Sequence, residues 1–369
     1  MSALAALPAV PIATAALLFA VHSASIRRWI EMAASAIVLF ASIGLAMIAE
    51  PPSASILVAA LSAITALTDA SEPGKRHRVS QAARQIRLAA ILGALTLASS
   101  LLVWLALAIA GAASAAIRLP RFRAALSQLL PCNAALGLAL FGAVALHVGS
   151  VQIGCIALLL GWGTLVLLDT AMLPLTLLLA LRLQTGLVET AYAPLVGNLM
   201  LAGGLADLLL IAAIVLLRTG TSRYPVWLTL AQGGVVLCAF GVGGPEMRFA
   251  GLLHLTLLVL SRSAVLLSSE QGLDRLASLA GLSGLPPFGV FPSLALIVFG
   301  IAIRMPWLLL PLMVALLVVG WGCITRLPQD PGRLNTSPAW IPLLAGVVVG
   351  IALPSPIAGW FVAAADVLR

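Results

Sequence analysis

The sequence predicts an all-α, polytopic transmembrane bundle of about thirteen helices, within a range of roughly twelve to fourteen. Of the 369 residues, 62% are hydrophobic and only 9% are charged, and the mean hydropathy is +1.15. Soluble domains are about 25% charged, so lipid must be the solvent for most of this surface. The apolar runs are continuous, which favours helices over the alternating strands of a membrane barrel.

The apolar runs predict the helices in order along the chain. The first run lacks a basic segment before it and a convincing cleavage site after it, so we interpret it as a retained first helix. The polar pair Ser99 and Ser100 separates the run 81–98 from the run 101–117. The alternative interpretation is one long tilted helix over 81–117. The predicted spans are 4–22, 30–49, 54–70, 81–98, 101–117, 124–147, 153–181, 194–217, 225–243, 249–268, 277–303, 306–324 and 338–363.

Two of these runs are too long for one straight helix and contain helix-breaking residues. Pro174 follows Asp169 in the run 153–181, and the run 277–303 contains Gly284, Pro286, Pro287 and Gly289. Unwound backbone inside a membrane is tolerated only where it is buried in protein or lines a cavity. The two segments are therefore candidate functional elements, and a simple packing kink is the alternative.

The net charge of +8 does not indicate a nucleic-acid partner, because the basic residues mark helix ends and form no basic face. The densest basic group should face the cytoplasm by the positive-inside rule, which places the N-terminus outside. This group consists of Lys75, Arg76, Arg78, Arg84 and Arg87.

The sequence indicates no catalytic site, metal site or cofactor within this chain. The cysteines lack CxxC spacing and lie in or beside apolar runs, so we expect buried packing rather than metal binding or disulfides. No phosphate-binding loop, nucleophile elbow or pair of haem-ligating histidines is present. The four cysteines are Cys132, Cys155, Cys238 and Cys323.

The stretch Ser283 to Phe299 reads SGLPPFGVFPSLALIVF. It resembles the G-L-P-P-F-G-x-F segment of a broken helix in the antiporter-like membrane subunits, the family shared by respiratory complex I, hydrogenase-4 type membrane-bound hydrogenases and Mrp antiporters. Further stretches resemble that family's helix motifs in the same order along the chain. They are Val103 to Ala108 (VWLALA), Ala124 to Gly142 (AALSQLLPCNAALGLALFG), Gly161 to Thr164 (GWGT) and Gly251 to Ser263 (GLLHLTLLVLSRS).

The resemblance implies a single integral membrane domain over 1–369. Within it, residues 1–100 would be N-terminal helices, 101–303 the antiporter-like core and 304–369 C-terminal helices. By this resemblance, the linker Ser269 to Arg275 would be shorter than the family's, and the C-terminal lateral helix is not expected. The resemblance therefore implies a shortened and degenerate member.

Most of the family's proton-relay positions carry residues that cannot exchange a proton. The relay glutamate and lysines of the family, together with its second histidine, correspond here to Ala108, Ser127, Leu165, Leu258 and a position near Leu294. His254 persists, and Arg262 stands where lysine is usual. A buried lysine can lose its proton, whereas arginine remains charged, so Arg262 cannot act as a relay.

Four ionisable residues remain at predicted membrane depth, where charge is costly and function is the default hypothesis: Asp169, Asp207, His254 and Arg262. Arg262 follows His254 by eight residues, so both lie on one helix face. Asp169 or Asp207 could neutralise Arg262 in a buried ion pair that sets helix register. The alternative is a surviving proton path through Asp169, Asp207 and His254.

These observations favour a membrane subunit of a proton-translocating redox or hydrogenase-like complex, with a structural or accessory role. Its expected partners are the lipid bilayer, a competent antiporter-like paralogue and hydrophilic redox or metalloenzyme subunits, in a bacterial inner membrane. The chain would then belong to an oxidoreductase complex without holding its catalytic site. The alternatives are an autonomous or two-component proton or cation transporter, and an assembly protein without transport.

Overall fold

The computed structural model divides the chain into two compact units, Met1–Leu183 and Gln184–Arg369. Each unit consists of packed helices, and each contains one of the two interrupted segments. The structure describes residues 2–48, 53–71, 77–97, 99–118, 122–217, 223–269, 272–286, 289–326, 337–353 and 355–366.

The first unit is built around a helix that is unusually polar for a membrane protein. This helix, Arg78–Thr96, packs against helices that precede it and a helix that follows it in sequence, and it is buried on nearly all faces. In order, the helices of this unit are α1 (Ser2–Ala6), α2 (Ala9–Ala20), α3 (Ala24–Ile48), α4 (Ala54–Ser71), α5 (Arg78–Thr96), α6 (Ser100–Ile117), α7 (Phe122–His147), α8 (Val151–Leu168) and most of α9 (Leu173–Gly186).

The second unit is built around the helix Pro245–Leu267, which packs against helices on either side of it in sequence. In order, its helices are α10 (Ala193–Leu217), α11 (Tyr224–Val242), α12 (Pro245–Leu267), α13 (Leu273–Ser283), α14 (Phe291–Arg304), α15 (Pro306–Ile324), α16 (Trp340–Val347) and α17 (Ser355–Asp366). A π-helical turn, Val348–Ala352, extends α16.

The predicted fold class is confirmed: the described residues form helices and contain no strand. Nine of the described helices are long and apolar enough to cross a membrane, or ten if the bent pair at 340–363 counts as one span. The predicted total of thirteen spans stays a prediction. The runs 81–98 and 101–117 are separate helices, α5 and α6, as the serine pair indicated. The four cysteines are buried, and none of them forms a disulfide.

Both predicted helix interruptions are present. The first break, residues 169–172, joins α8 to α9 through a 3-10 turn, Thr170–Met172. Pro174 lies in the first turn of α9, where a missing backbone N–H breaks no intrahelical hydrogen bond. The first break is therefore centred on Asp169 rather than on the proline.

The second break, residues 284–290, joins α13 to α14. Gly284 ends α13 with φ at +84° and Gly289 has φ at +64°, a backbone conformation that side chains disfavour. The Val290 N–H donates to the Gly281 carbonyl at 3.1 Å, which closes the turn. Pro286 lies exposed in this turn, and Pro287 lies outside the described residues.

Glycines allow α10 and α11 to pack with their backbones in close contact. A methyl group at Gly234 would lie 2.8 Å from the Gly204 carbonyl oxygen, and one at Gly241 would lie 2.8 Å from the Gly197 carbonyl oxygen. Small residues at such crossings are typical of helix pairs in membranes. The close crossing positions Asp207, which lies one turn after Gly204.

Candidate functional site

The first break is organised by the carboxylate of Asp169. Its Oδ2 accepts hydrogen bonds from Arg87 Nη1 at 2.7 Å and from the Ser114 hydroxyl at 2.6 Å. Its Oδ1 accepts from the Ala171 backbone N–H at 3.0 Å and so caps the 3-10 turn. The backbone donor that the break exposes is thus satisfied by a side chain that also forms an ion pair.

Arg87 links this carboxylate to a second one. Its Nη2 donates to Asp69 Oδ2 at 2.7 Å, so one guanidinium bridges α4 and the first break. Arg87 is buried, and arginine keeps its charge in such surroundings. The ion pair therefore holds three segments of the first unit together, and removing one partner would leave a buried charge uncompensated.

A second buried network lies one helical turn earlier on α5. Arg84 donates to Glu31 through two bonds, Nε to Oε1 at 2.6 Å and Nη2 to Oε2 at 2.9 Å. Gln81 donates to the same carboxylate at 3.4 Å and accepts from Arg27 Nε at 2.8 Å. Glu31 is completely buried, and the bidentate geometry satisfies both of its oxygens. The network joins α3 to α5.

These networks add pairings that the sequence does not specify. Arg84 and Arg87, which belong to the basic group expected to face the cytoplasm, are both buried within α5. Asp169, one of the two carboxylates considered as a partner of Arg262, pairs with Arg87. Sequence reasoning also missed Glu31 and Asp69. The sequence contains one signal for these networks, a series of polar residues on α5 spaced three or four positions apart. They are Gln81, Arg84, Gln85 and Arg87.

The second break is surrounded by neutral polar groups. His254 is fully buried on α12, with Nδ1 at 3.0 Å from the Ser293 hydroxyl and Nε2 at 3.1 Å from Gln232 Oε1. The Ser293 hydroxyl donates to the Val290 carbonyl at 2.9 Å, at the end of the break. An imidazole with its hydrogen on Nε2 donates to Gln232 Oε1, and its Nδ1 then accepts from the Ser293 hydroxyl when that hydroxyl turns from the Val290 carbonyl.

The connection before α13 is anchored by Asp274. Its carboxylate accepts from the Ser269 backbone N–H at 2.8 Å and from the Ser269 hydroxyl at 2.7 Å. Burial opposes ionisation of this carboxyl, but the hydrogen bonds outweigh burial and hold the pKa of Asp274 below its usual value. The anchor therefore favours the ionised carboxylate.

The four predicted site residues are divided between the two units. Asp169 belongs to the first unit, whereas Asp207, His254 and Arg262 belong to the second. Arg262 is half-buried two turns beyond His254 and takes no part in its hydrogen bonds. Asp207 is half-buried in α10, and among the described residues no ion pair or hydrogen bond to its carboxylate is found.

Five of the positions that correspond by resemblance to the family's relay residues carry uncharged side chains, whereas His254 and Arg262 keep ionisable ones. Leu165 and Leu258 are buried in packed helices, Ala108 and Leu294 are half-buried, and Ser127 is exposed. Among the residues that the structure describes, no three histidine, cysteine, aspartate or glutamate side chains gather to hold a metal ion. The charged groups of the first break are engaged in ion pairs, and the second break is polar without charge.

Comparison with curated proteins and with solved structures gives concordant matches, although no family model matches the chain. The chain is 27% identical to a hydrogenase-4 component F homologue from Methylacidiphilum infernorum (isolate V4), over 57% of this chain. The matched region spans 56% of that relative, so the chain corresponds to about half of its length.

Solved membrane complexes contain chains with the same fold. A chain of the membrane-bound sulfane sulfur reductase, an archaeal respiratory membrane complex, superposes with a TM-score of 0.77 at 13% identity, over 100% of this chain and 97% of that chain. A chain of the Mrp complex from Dietzia sp. DQ12-45-1b superposes with a TM-score of 0.74 at 16% identity, over 98% of this chain and 52% of that chain. A chain of respiratory complex I from Thermus thermophilus superposes with a TM-score of 0.71 at 15% identity, over 99% of this chain and 100% of that chain.

The motifs in the sequence, the match to a hydrogenase-4 component and the shared fold agree with one another. The chain therefore shares its fold with chains of these membrane complexes, and it is similar to a hydrogenase-4 component F homologue over part of its length.

Proposed function

We propose that this chain is an accessory membrane subunit of a proton-translocating redox or hydrogenase-like complex in a bacterial inner membrane. In this role it packs beside a competent antiporter-like paralogue and connects to hydrophilic redox or metalloenzyme subunits. The proteins it resembles are a hydrogenase-4 component homologue and chains of three membrane complexes, which supports membership of such an assembly.

The ion pair of Asp169 with Arg87 is the observation that carries the accessory role. A proton relay needs a group that takes up and releases a proton during each turnover. Asp169 accepts hydrogen bonds from Arg87, Ser114 and Ala171, all of which stabilise its ionised form. A carboxylate held in this way serves as a structural anchor for the first break.

The residues at the family's relay positions support the same conclusion. Leucine and alanine side chains have no group that titrates, so Ala108, Leu165 and Leu258 cannot pass a proton. Asp169 and Asp207 lie away from these positions. Of the two ionisable residues at family positions, Arg262 stays charged and His254 lacks the second histidine of its pair. Loss of relay chemistry with retention of the fold is the expected result when a subunit keeps its place in an assembly but does not conduct.

The test begins with native purification of the tagged chain in mild detergent, with all co-purifying proteins identified by mass spectrometry. We expect a larger antiporter-like subunit together with hydrophilic redox or metalloenzyme subunits. The chain recovered alone would contradict the proposal, and would favour the autonomous transporter instead.

The accessory role is then tested by proton pumping of the purified complex in vesicles. Asp169→Asn, Asp207→Asn and His254→Ala each remove one member of the alternative path through those three residues. We expect pumping per assembled complex to equal that of the wild type, whatever the effect on yield. A fully assembled complex that pumps more slowly with any of these variants would overturn the accessory role.

A further inference from the structure

A cavity of about 360 Å³ lies between the start of α12 and the C-terminal part of α14. This volume falls in the range of sites that bind small molecules, about 300–1,000 Å³. Apolar side chains line most of the cavity, and a pair of charged side chains lines one end of it. The large apolar side chains include Phe249 of α12 and Leu296, Phe299 and Ile303 of α14. The cavity therefore combines an apolar part with a charged part.

Fixed packing between helices shapes the floor and one wall of this cavity. A methyl group at Gly300 would lie 2.3 Å from Met247 Sδ, so the missing side chain lets Met247 pack against α14 as the floor. The ring of Phe249 packs edge-on against Phe361 of α17, with ring centroids 6.0 Å apart, which holds one wall in place. The cavity is therefore formed before any ligand binds.

The α14 wall is open to the surroundings of the helices. Leu296, Phe299 and Ile303 recur three or four positions apart, so they share one face of α14. They are 46%, 67% and 67% exposed. Burial of such apolar surface against a hydrocarbon chain is favourable. The open side therefore admits an acyl chain from the bilayer.

The charged end of the cavity lies where three helix ends come together. Helix α12 begins at Pro245, α14 ends at Arg304 and α15 begins at Pro306. Trp307, in the first turn of α15, is 66% exposed, and tryptophan is enriched at the membrane–water interface. Leu296 lies eight residues before Arg304, which is about 12 Å along α14. The cavity thus extends from the level of the lipid headgroups toward the membrane interior.

The charged pair consists of Arg304 and Glu246. Arg304 donates to the Glu246 carboxylate and, through Nη1, to the Gly243 carbonyl at 3.0 Å. The two side chains are 39% and 72% exposed, so a ligand can reach both without separating them. A guanidinium binds phosphate through several N–H donors, and a carboxylate accepts hydrogen bonds from a primary ammonium. A headgroup with neighbouring phosphate and ammonium groups therefore complements this pair.

We propose that the cavity binds a phosphatidylethanolamine, with its phosphate at Arg304, its ammonium at Glu246 and an acyl chain along α14. Phosphatidylglycerol carries the phosphate without the ammonium, so its negative charge would lie beside the Glu246 carboxylate without compensation. Phosphatidylcholine carries a quaternary ammonium, which has no N–H to donate. The site needs only the folded chain and does not depend on the accessory role.

Lipid retention tests the charge complementarity. The full chain, with any subunits that co-purify, is reconstituted in vesicles of equal phosphatidylethanolamine and phosphatidylglycerol and extracted again in mild detergent. Mass spectrometry then measures the lipids that remain bound. We expect the wild type to retain phosphatidylethanolamine over phosphatidylglycerol by about tenfold, the effect of one charged hydrogen bond. Glu246→Gln should remove this preference, and Arg304→Gln should reduce retention of both lipids.

Two exposed residues elsewhere in the second unit provide matched controls. Glu189→Gln and Arg223→Gln remove the same charges away from the cavity. We expect both controls to retain lipids as the wild type does. A wild type without the preference, a Glu246→Gln variant that keeps it, or controls that lose it would each overturn the proposal.

Photo-crosslinking tests the site without removing a charge and covers the case in which a charge variant fails to fold. A photoreactive amino acid at Phe299 lies in the cavity wall, and one at Leu310, a position 74% exposed on α15, lies outside it. In the same vesicles, we expect Phe299 to label phosphatidylethanolamine well above its share of the lipid, and Leu310 to show no such enrichment. Equal enrichment at the two positions, or labelling of another subunit or a second copy from Phe299, would contradict the phospholipid site.

Discussion

The first break is surrounded by charged side chains, whereas the second break is surrounded by neutral polar ones. At the first, Arg87 bridges Asp69 and Asp169. At the second, His254 contacts Gln232 and Ser293, and two glycines with positive φ form the turn. One fold thus satisfies interrupted backbone in two ways, by ion pairing across helices and by local turn geometry with uncharged hydrogen bonds.

The first unit is most vulnerable at its buried ion pairs. Breaking a buried ion pair by removing one partner costs about 3–5 kcal/mol, because the remaining charge stays buried. Loss of a neutral hydrogen bond costs about 0.5–1.5 kcal/mol. Single substitutions at the first break should therefore destabilise the protein more than single substitutions at the second.

The largest effect is expected from Arg87→Met, which leaves two carboxylates without their shared cation. We expect a loss of about 3–5 kcal/mol in the free energy of unfolding and a sharp fall in the amount of folded protein. Thermal unfolding of the tagged protein in detergent, followed by size-exclusion chromatography, measures this. Stability equal to that of the wild type would show that the first break does not depend on its ion pair.

A double substitution separates the contribution of charge from that of packing in the Arg84–Glu31 network on α5. Arg84→Met alone should cost about 3–5 kcal/mol because Glu31 is left buried and charged. Arg84→Met combined with Glu31→Leu removes both charges and should recover most of that stability, since apolar replacements of buried pairs are often neutral. A double variant as unstable as the single one would indicate that packing, rather than charge, dominates there.

A smaller effect is expected at the neutral break from Ser293→Ala. The substitution removes the hydroxyl beside His254 Nδ1, and we expect a loss of about 1 kcal/mol. The same unfolding assay, with Arg87→Met measured in parallel, compares the two breaks directly. A loss as large as that of Arg87→Met would remove the distinction between them.

The smallest effect concerns pH and the connection before α13. Because the pKa of Asp274 in the folded protein lies below its usual value, its contribution to stability is present above the usual pKa of about 4 and is lost as pH falls through the folded value. Asp274→Asn should therefore lower stability at neutral pH and have less effect in acid. Unfolding curves of wild type and variant from neutral to acidic pH measure this, and a constant difference would contradict it.

Much of the fold could be predicted from local sequence patterns. Glycine and proline at 284–289 predicted the second break, and Asp169 with Pro174 marked the first to within a few residues. The candidate site was predicted less well. Asp69 and Glu31 lie near the ends of apolar runs, where charges usually face water, and the arginines of α5 resembled a topology signal.

Local sequence patterns are enough to identify a helical membrane protein with two interrupted helices, because hydropathy and the backbone limits of glycine and proline act over a few residues. The pairing of charges instead follows from how the helices pack, since the partners of Glu31 and Asp169 lie 53 and 82 residues away. Charge pairing and exposure depend on which helices pack together, and apolar runs of similar hydropathy do not specify their neighbours.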